Sequence, residues 1–196
     1  MSYAPLEGAP KVRRILTYDF EWITDENGAY NLRCATLYDG ETFFTFYTIT
    51  EFIDHCMRTE YAGAWFYAHY GGRFDFNFLL PVFFSRGYEC ELFFNGSSVV
   101  RAEVVQGKRR WSFCDSQFIF NFGLEKIGKA LGYPKTKCAF DAPIAELVAY
   151  NQRDCEILWR ALTWFQDIVL SLGGELCRTV AATSLRLFRR AYQKKL

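Results

Sequence analysis

Arg14-Ile15-Leu16-Thr17-Tyr18-Asp19-Phe20-Glu21-Trp22 leads from a basic segment (Lys11, Arg13, Arg14) into a run whose apolar residues predict a buried β-strand. Residues two apart in a strand point to the same face. Asp19 and Glu21 therefore project together while Phe20 turns to the other side. Two carboxylates side by side at the end of a core strand repel each other and lose hydration. A divalent cation with oxygen ligands offsets that cost. A pair of solvated acids where the strand emerges is the competing reading, and it is decided by the rest of the chain.

The 196 residues are 51% apolar and 23% charged, a composition that excludes disorder and fibre and is most simply one domain over residues 1–196. No apolar run approaches the ~20 residues of a membrane span, and Met1-Ser2-Tyr3-Ala4-Pro5 does not open a secretion signal. Seven cysteines stand singly with no C-x-x-C, which predicts reduced thiols in a cytoplasmic setting and neither a disulfide frame nor a zinc site. Net charge is +1, but basic residues cluster at 11–14, 108–110, 126–137 and 186–195, strips able to hold a short polyanion. Twenty Phe, twelve Tyr and five Trp supply core and, at the surface, rings on which bases can stack.

Turn signals at Asp25–Gly28 and Asp39-Gly40 separate strands at 30–38 and 42–47, predicting a three-strand antiparallel meander. A helix is expected at 50–57 with Thr50 as N-cap, and a buried parallel strand at 64–69. Gly71-Gly72 opens a loop into a helical start at 74–80, which Pro81 is expected to cut short. Strands at 88–94, 98–105 and 110–115 follow, then a short helix at 123–131. A long helix spans about 143–172, with Pro143 in its first turn, and a last, basic helix spans about 175–192. The order predicts an α/β layered domain around a mixed sheet.

Two further acids stand out by context, Asp75 in His69-Tyr70-Gly71-Gly72-Arg73-Phe74-Asp75 and Asp154 in Tyr150-Asn151-Gln152-Arg153-Asp154. Tyr150 and Asp154 are four apart and share one helical face. Taken in order, Asp19-x-Glu21, Gly71-Gly72-x-Phe74-Asp75 and Tyr150-x-x-x-Asp154 resemble the three motifs of the DEDDy 3′–5′ exonucleases, most closely the proofreading domain of protein-primed family B DNA polymerases of phages and linear plasmids. Cys114-Asp115-Ser116, the stretch 124–135 and Thr183–Arg190 are similar to segments around those motifs, so the resemblance covers roughly 13–192.

The resemblance implies a ribonuclease H-like fold, a mixed sheet flanked by helices. It also implies release of mononucleotides from single-stranded or frayed DNA 3′ ends, proofreading alongside a DNA polymerase or other replication protein, and a host-cytosol location. Asp19, Glu21, Asp75 and Asp154 would hold two divalent ions, Mg²⁺ or Mn²⁺, about 3.5–4 Å apart, with Asp19 bridging; four carboxylates and two such ions nearly neutralise each other. Tyr150 would orient the attacking water, a phenol of pKa near 10 being a poor base at neutral pH. The family's phosphate-contacting lysine is matched by Lys137, with Phe140 three residues on, and next by Lys135. His69, Tyr70, Phe74 and Ser116 would hold the 3′ end.

Three positions depart from the family pattern: Tyr70 stands for a usual asparagine, Trp22 for a small hydroxyl residue, and Gln117 for leucine. Palm, fingers and thumb have no room in 196 residues, so the chain is expected to be an excised exonuclease module or a short relative. An RNA 3′-end trimming nuclease and a catalytically silent single-strand-binding module are the other functional classes.

Overall fold

The computed structural model describes residues 6, 8–139 and 141–191. Seven strands form one mixed sheet, in the order β3-β2-β1-β4-β7-β6-β5. β1 (Ile15–Thr24), β2 (Tyr30–Tyr38) and β3 (Phe43–Phe46) make the expected meander. β4 (Trp65–Ala68) lies parallel to both β1 and β7 (Arg109–Asp115), and β5 (Glu89–Asn95) and β6 (Ser98–Gln106) continue antiparallel to the far edge. Such an α/β sheet between helices is the ribonuclease H-like class.

The two faces of the sheet sort by alternation. Leu16, Tyr18 and Phe20 of β1 join Phe66, Phe113 and Val104 in one core, covered by α1 (Ile49–Cys56) and α2 (Phe76–Ser85). Ile15, Trp65, Tyr67 and Cys114 face the opposite way, onto Leu158 and Leu162 of α4 (Ile144–Ser171) and onto Leu176. Thr17, on that second face, donates its hydroxyl to the Cys155 carbonyl at 2.8 Å, and the Trp159 indole donates to the Ile15 carbonyl at 3.2 Å. These bonds fix α4 across β1. Asp19 and Glu21 continue the odd-numbered series, so both look toward α4.

Four details depart from the sequence reading. The cap of α1 is Thr48, whose hydroxyl accepts from the Glu51 amide at 3.1 Å; Thr50 lies inside the first turn. Pro81 does not stop α2, which runs on to Ser85. The missing amide forfeits a single bond in mid-helix, and Leu79 and Phe83 on either side are fully buried, which holds the turn together. Pro143 is the N-cap of α4 and not part of its first turn. The last helix, α5 (Val180–Ala191), begins five residues later than expected. Glu175 is drawn into the interior instead, accepting from the Lys11 amide at 3.0 Å and from Arg190 at 3.1 Å. Tyr192, the expected end of that helix, and Phe140 lie outside the described residues. α3 (Leu124–Ala130) matches its expected place, and the cysteines are free thiols.

Candidate metal site

Carboxylate oxygens of Asp19, Glu21 and Asp154 come within 4.8 Å of one another, although Asp154 is 135 residues from Asp19 in sequence. β1 supplies the first two and α4 the third. Asn151, one turn before Asp154, donates to Asp19 Oδ2 at 2.9 Å. Its own Oδ1, and Oδ1 of Asp154, are buried without a hydrogen-bond partner. Buried acceptors with no donor beside a group of acids are a surplus of oxygen lone pairs, and this donor set fits a hard divalent cation.

The electrostatics report the same crowding. Burial pushes the Asp19 carboxyl well above its ordinary range, and the neighbouring Asp154, Glu21 and Asp75 push it further. Burial also raises Glu21, with the Asn151 hydrogen bond opposing, and raises Asp154, with Lys135 opposing. The Lys135 ammonium lies 2.5 Å from Asp154 Oδ2 and 4.6 Å from the centre of the Tyr150 ring. Against the burial that would lower it, Asp154 holds that ammonium above its usual pKa. Lys135 thus neutralises part of the acid group from the α4 side. Tyr150 is half-buried beside it, its phenol raised by burial first and by the charge of Asp154.

Asp75 is brought to the neighbourhood but stays outside the 4.8 Å group. It occupies the N-cap of α2 without making the capping hydrogen bond. Its carboxyl is pushed up to about 8, by burial first and then by Asp115 and Glu21. The loop before it is held by a residue whose role the sequence did not disclose. Asp115, at the end of β7, accepts from the amides of Tyr70 (3.0 Å), Gly72 (2.9 Å) and Gln117 (2.8 Å). A Cβ on Gly72 would sit 2.2 Å from the Val99 carbonyl, so only glycine lets the loop pass this close to β6. Tyr70 takes φ 62°, the left-handed region that asparagine tolerates better than tyrosine.

The other expected contacts divide. His69 and Ser116 engage one another, with Nδ1 at 2.8 Å from the serine Oγ, while His69 Nε2 donates to the Phe122 carbonyl at 2.8 Å. Burial pushes this imidazole down to about 4, so it is neutral. Both side chains brace the ends of β4 and β7. Tyr70 is exposed, and Phe74 is half-buried against Tyr30 and Trp22, whose ring stacks on Phe78 at 3.8 Å between centres. These four rings form an aromatic wall; Trp22 reaches it from β1, the residue after Glu21. Lys137 is exposed and lines the cleft beside Tyr150 without reaching the acids, a place Lys135 takes. Asn151 was missed as well; its only signal in the sequence was the same helical face as Asp154, three residues on.

No protein-family model and no curated protein sequence matches the chain. Solved structures do. Phi29 DNA polymerase complexed with primer-template DNA and incoming nucleotide substrates superposes with a TM-score of 0.75 at 18% identity, over 94% of this chain and 35% of that one. The same polymerase complexed with single-stranded DNA gives 0.72 at 17% identity, over 94% and 36%. An orthorhombic crystal form gives 0.67 at 16%, over 89% and 34%. The chain spans about a third of the polymerase it is similar to, and at this identity what the likeness establishes is a shared fold with a fragment of a DNA polymerase.

Proposed function

We propose that the protein is a metal-dependent 3′–5′ exonuclease that removes mononucleotides from single-stranded or frayed DNA ends, as a proofreading-type module related to DNA polymerases. The observation that carries this reading is the convergence of Asp19, Glu21 and Asp154 within 4.8 Å, with orphaned buried oxygens around them. Those three acids, with Asp75 beside them, would hold Mg²⁺ or Mn²⁺. Bound there, such ions would neutralise the acids and the scissile phosphate and activate water.

The chain's own groups have separate tasks in that reaction. Water attacks phosphorus, the bond from phosphorus to the 3′-oxygen of the preceding nucleotide breaks, and a nucleoside 5′-monophosphate leaves behind a new 3′-hydroxyl. Tyr150, its phenol protonated at neutral pH, hydrogen-bonds the water and sets its direction. Lys135 is mobile enough on its four-carbon stem to leave Asp154 for the phosphate, and Lys137 adds charge further along the cleft. Tyr70 and the ring of Phe74 stack the terminal bases.

Digestion of matched 5′-labelled DNA and RNA single strands, with Mg²⁺, Mn²⁺ or EDTA, tests the proposal. The expected result is stepwise shortening of DNA from its 3′ end that EDTA stops and Asp19→Ala abolishes, with Tyr150→Phe retaining a slow remainder. Preferential shortening of RNA moves the assignment to RNA trimming. Binding without any release of nucleotides, unchanged by EDTA, leaves a silent single-strand module.

A further inference from the structure

The same face of the sheet carries a second polar feature, over β6 and β7 instead of β1. A pocket of about 420 Å³ between the β5–β6 edge and α5 is lined by Arg101, Arg178, Arg186 and Arg189, together with Phe93 and Leu185, and among the described residues no carboxylate lines it. Arg101, Arg178 and Arg186 are held by two acids that are each 1% exposed. Glu103 meets Arg178 at 2.5 Å, Arg101 at 3.5 Å and Arg110 at 4.0 Å, and accepts from Ser112 at 2.7 Å. Glu175 meets Arg186, Arg190 at 3.1 Å and Arg13 at 3.8 Å. Among the described residues six guanidiniums thus share these two buried carboxylates, with Glu91 also meeting Arg110 at 3.1 Å, and positive charge is in excess.

The excess is visible in the arginines themselves. Burial, and then repulsion from Arg178, lowers the pKa of Arg101; burial, then Arg13, Arg190 and Arg189, lowers that of Arg186. The Arg101 guanidinium also lies 3.5 Å from the centre of the Phe93 ring, which is 41% exposed. The guanidinium fork of an arginine lining such a pocket suits phosphate oxygens, and the exposed ring suits a base. An acidic peptide would satisfy the charge and leave the exposed part of the Phe93 ring, not covered by Arg101, without a flat partner. Arg186 and Arg189 are three apart on α5 and follow one side of the helix, an arrangement suited to successive phosphates of one strand.

We propose that this pocket binds the phosphate backbone of a single-stranded nucleic acid, at a site separate from the Asp19–Glu21–Asp154 group. The proposal does not need the nuclease reading, because binding is read in EDTA with digestion arrested. The probe is fluorescein-labelled dT12 on the full chain, followed by anisotropy across a salt series. Replacing Arg101 and Arg189 together by Gln leaves Glu103 with Arg178 and Arg110, so the fold has its buried pair; a melting curve checks it. The expected outcome is at least tenfold weaker binding and a plot of log K against log salt shallower by about 1.4, or about 0.7 for each lost phosphate contact. Phe93→Ala alone should weaken binding roughly fivefold. Should the double variant melt early, Arg189→Glu carries the test, with the same direction expected. Displacement by dTMP at concentrations matching dT12 supports the phosphate site and makes a free nucleotide its source. Binding within twofold of the parent by a folded double variant overturns the proposal. Displacement by poly-glutamate as effective as by unlabelled dT12 does so too, since the pocket would then take any polyanion.

Discussion

At the scale of single residues, position relative to the acids separates side chains that look alike in sequence. Lys135 and Lys137 are two apart in one irregular segment, yet only Lys135 touches Asp154 and Tyr150. A lysine at the reacting groups contributes where charge develops; one along the cleft contributes to holding the strand. Lys135→Ile is therefore expected to lower kcat by about 10²-fold or more. Lys137→Ile should raise KM several-fold with kcat within about twofold, and single-turnover and steady-state rates on the same oligonucleotide distinguish the two. The sequence placed Lys137 first and Lys135 second, by resemblance alone, because a segment without helical or strand period has no face to assign. Tyr150 and Asp154 were legible for the opposite reason: four residues apart on a long helix is a fixed direction.

At the scale of elements, the loop between β4 and α2 decides where Asp75 stands. Two of the loop's amides directed at Asp115 replace the regular bonding the loop lacks. Gly72→Ala would drive a methyl group into the Val99 carbonyl, and overpacking against backbone costs about 1–3 kcal/mol. The melting midpoint should drop by roughly 2–10 °C for a chain of this size, with activity falling further than stability explains because Asp75 moves. Tyr70→Gly acts in the opposite direction. It relieves the left-handed strain, raises stability by up to about 1 kcal/mol, and weakens single-strand affinity if the exposed ring stacks on a base. Thermal melts paired with anisotropy read both effects. The glycines announced a loop in the sequence, but not Asp115, whose amide partners at positions 70 and 72 lie more than forty residues before it.

At the scale of the whole molecule, the buried acids set how stability responds to pH without metal. A carboxyl whose folded-state pKa is raised keeps its proton in the folded chain after the unfolded chain has lost it, so stability falls as pH rises between the two values. For Asp75 that window runs from the ordinary 3.8 to about 8, and Asp19 adds to it in the same direction. His69, lowered from 6.5 to about 4, has the contrary effect, and only below pH 6.5. In EDTA the melting midpoint is therefore expected to fall from pH 6.5 to 8, and Asp75→Asn should flatten that slope. Mg²⁺ or Mn²⁺ at a hundred times its Kd should restore about 2.7 kcal/mol. A midpoint rising over the same range, or one indifferent to metal, would show that the acids are not strained by their own charge.

What the chain determined by itself is whatever depends on local period: the meander of β1 to β3, the projection of Asp19 with Glu21, and the shared face of Tyr150 and Asp154. Alternation and helical spacing are short-range physics, and they survive in any register of the surrounding fold. Tertiary structure alone decided how far α4 lies along β1, through bonds such as that of Thr17 to Cys155, and so which oxygens meet. It also chose Lys135 over Lys137, set Asp115 beneath the Asp75 loop, and drew Glu175 and Glu103 inward to gather the arginines. Most of those outcomes rest on groups far apart in the chain, as many as 164 residues, where direction is fixed by packing and by the cost of leaving a buried charge without a partner.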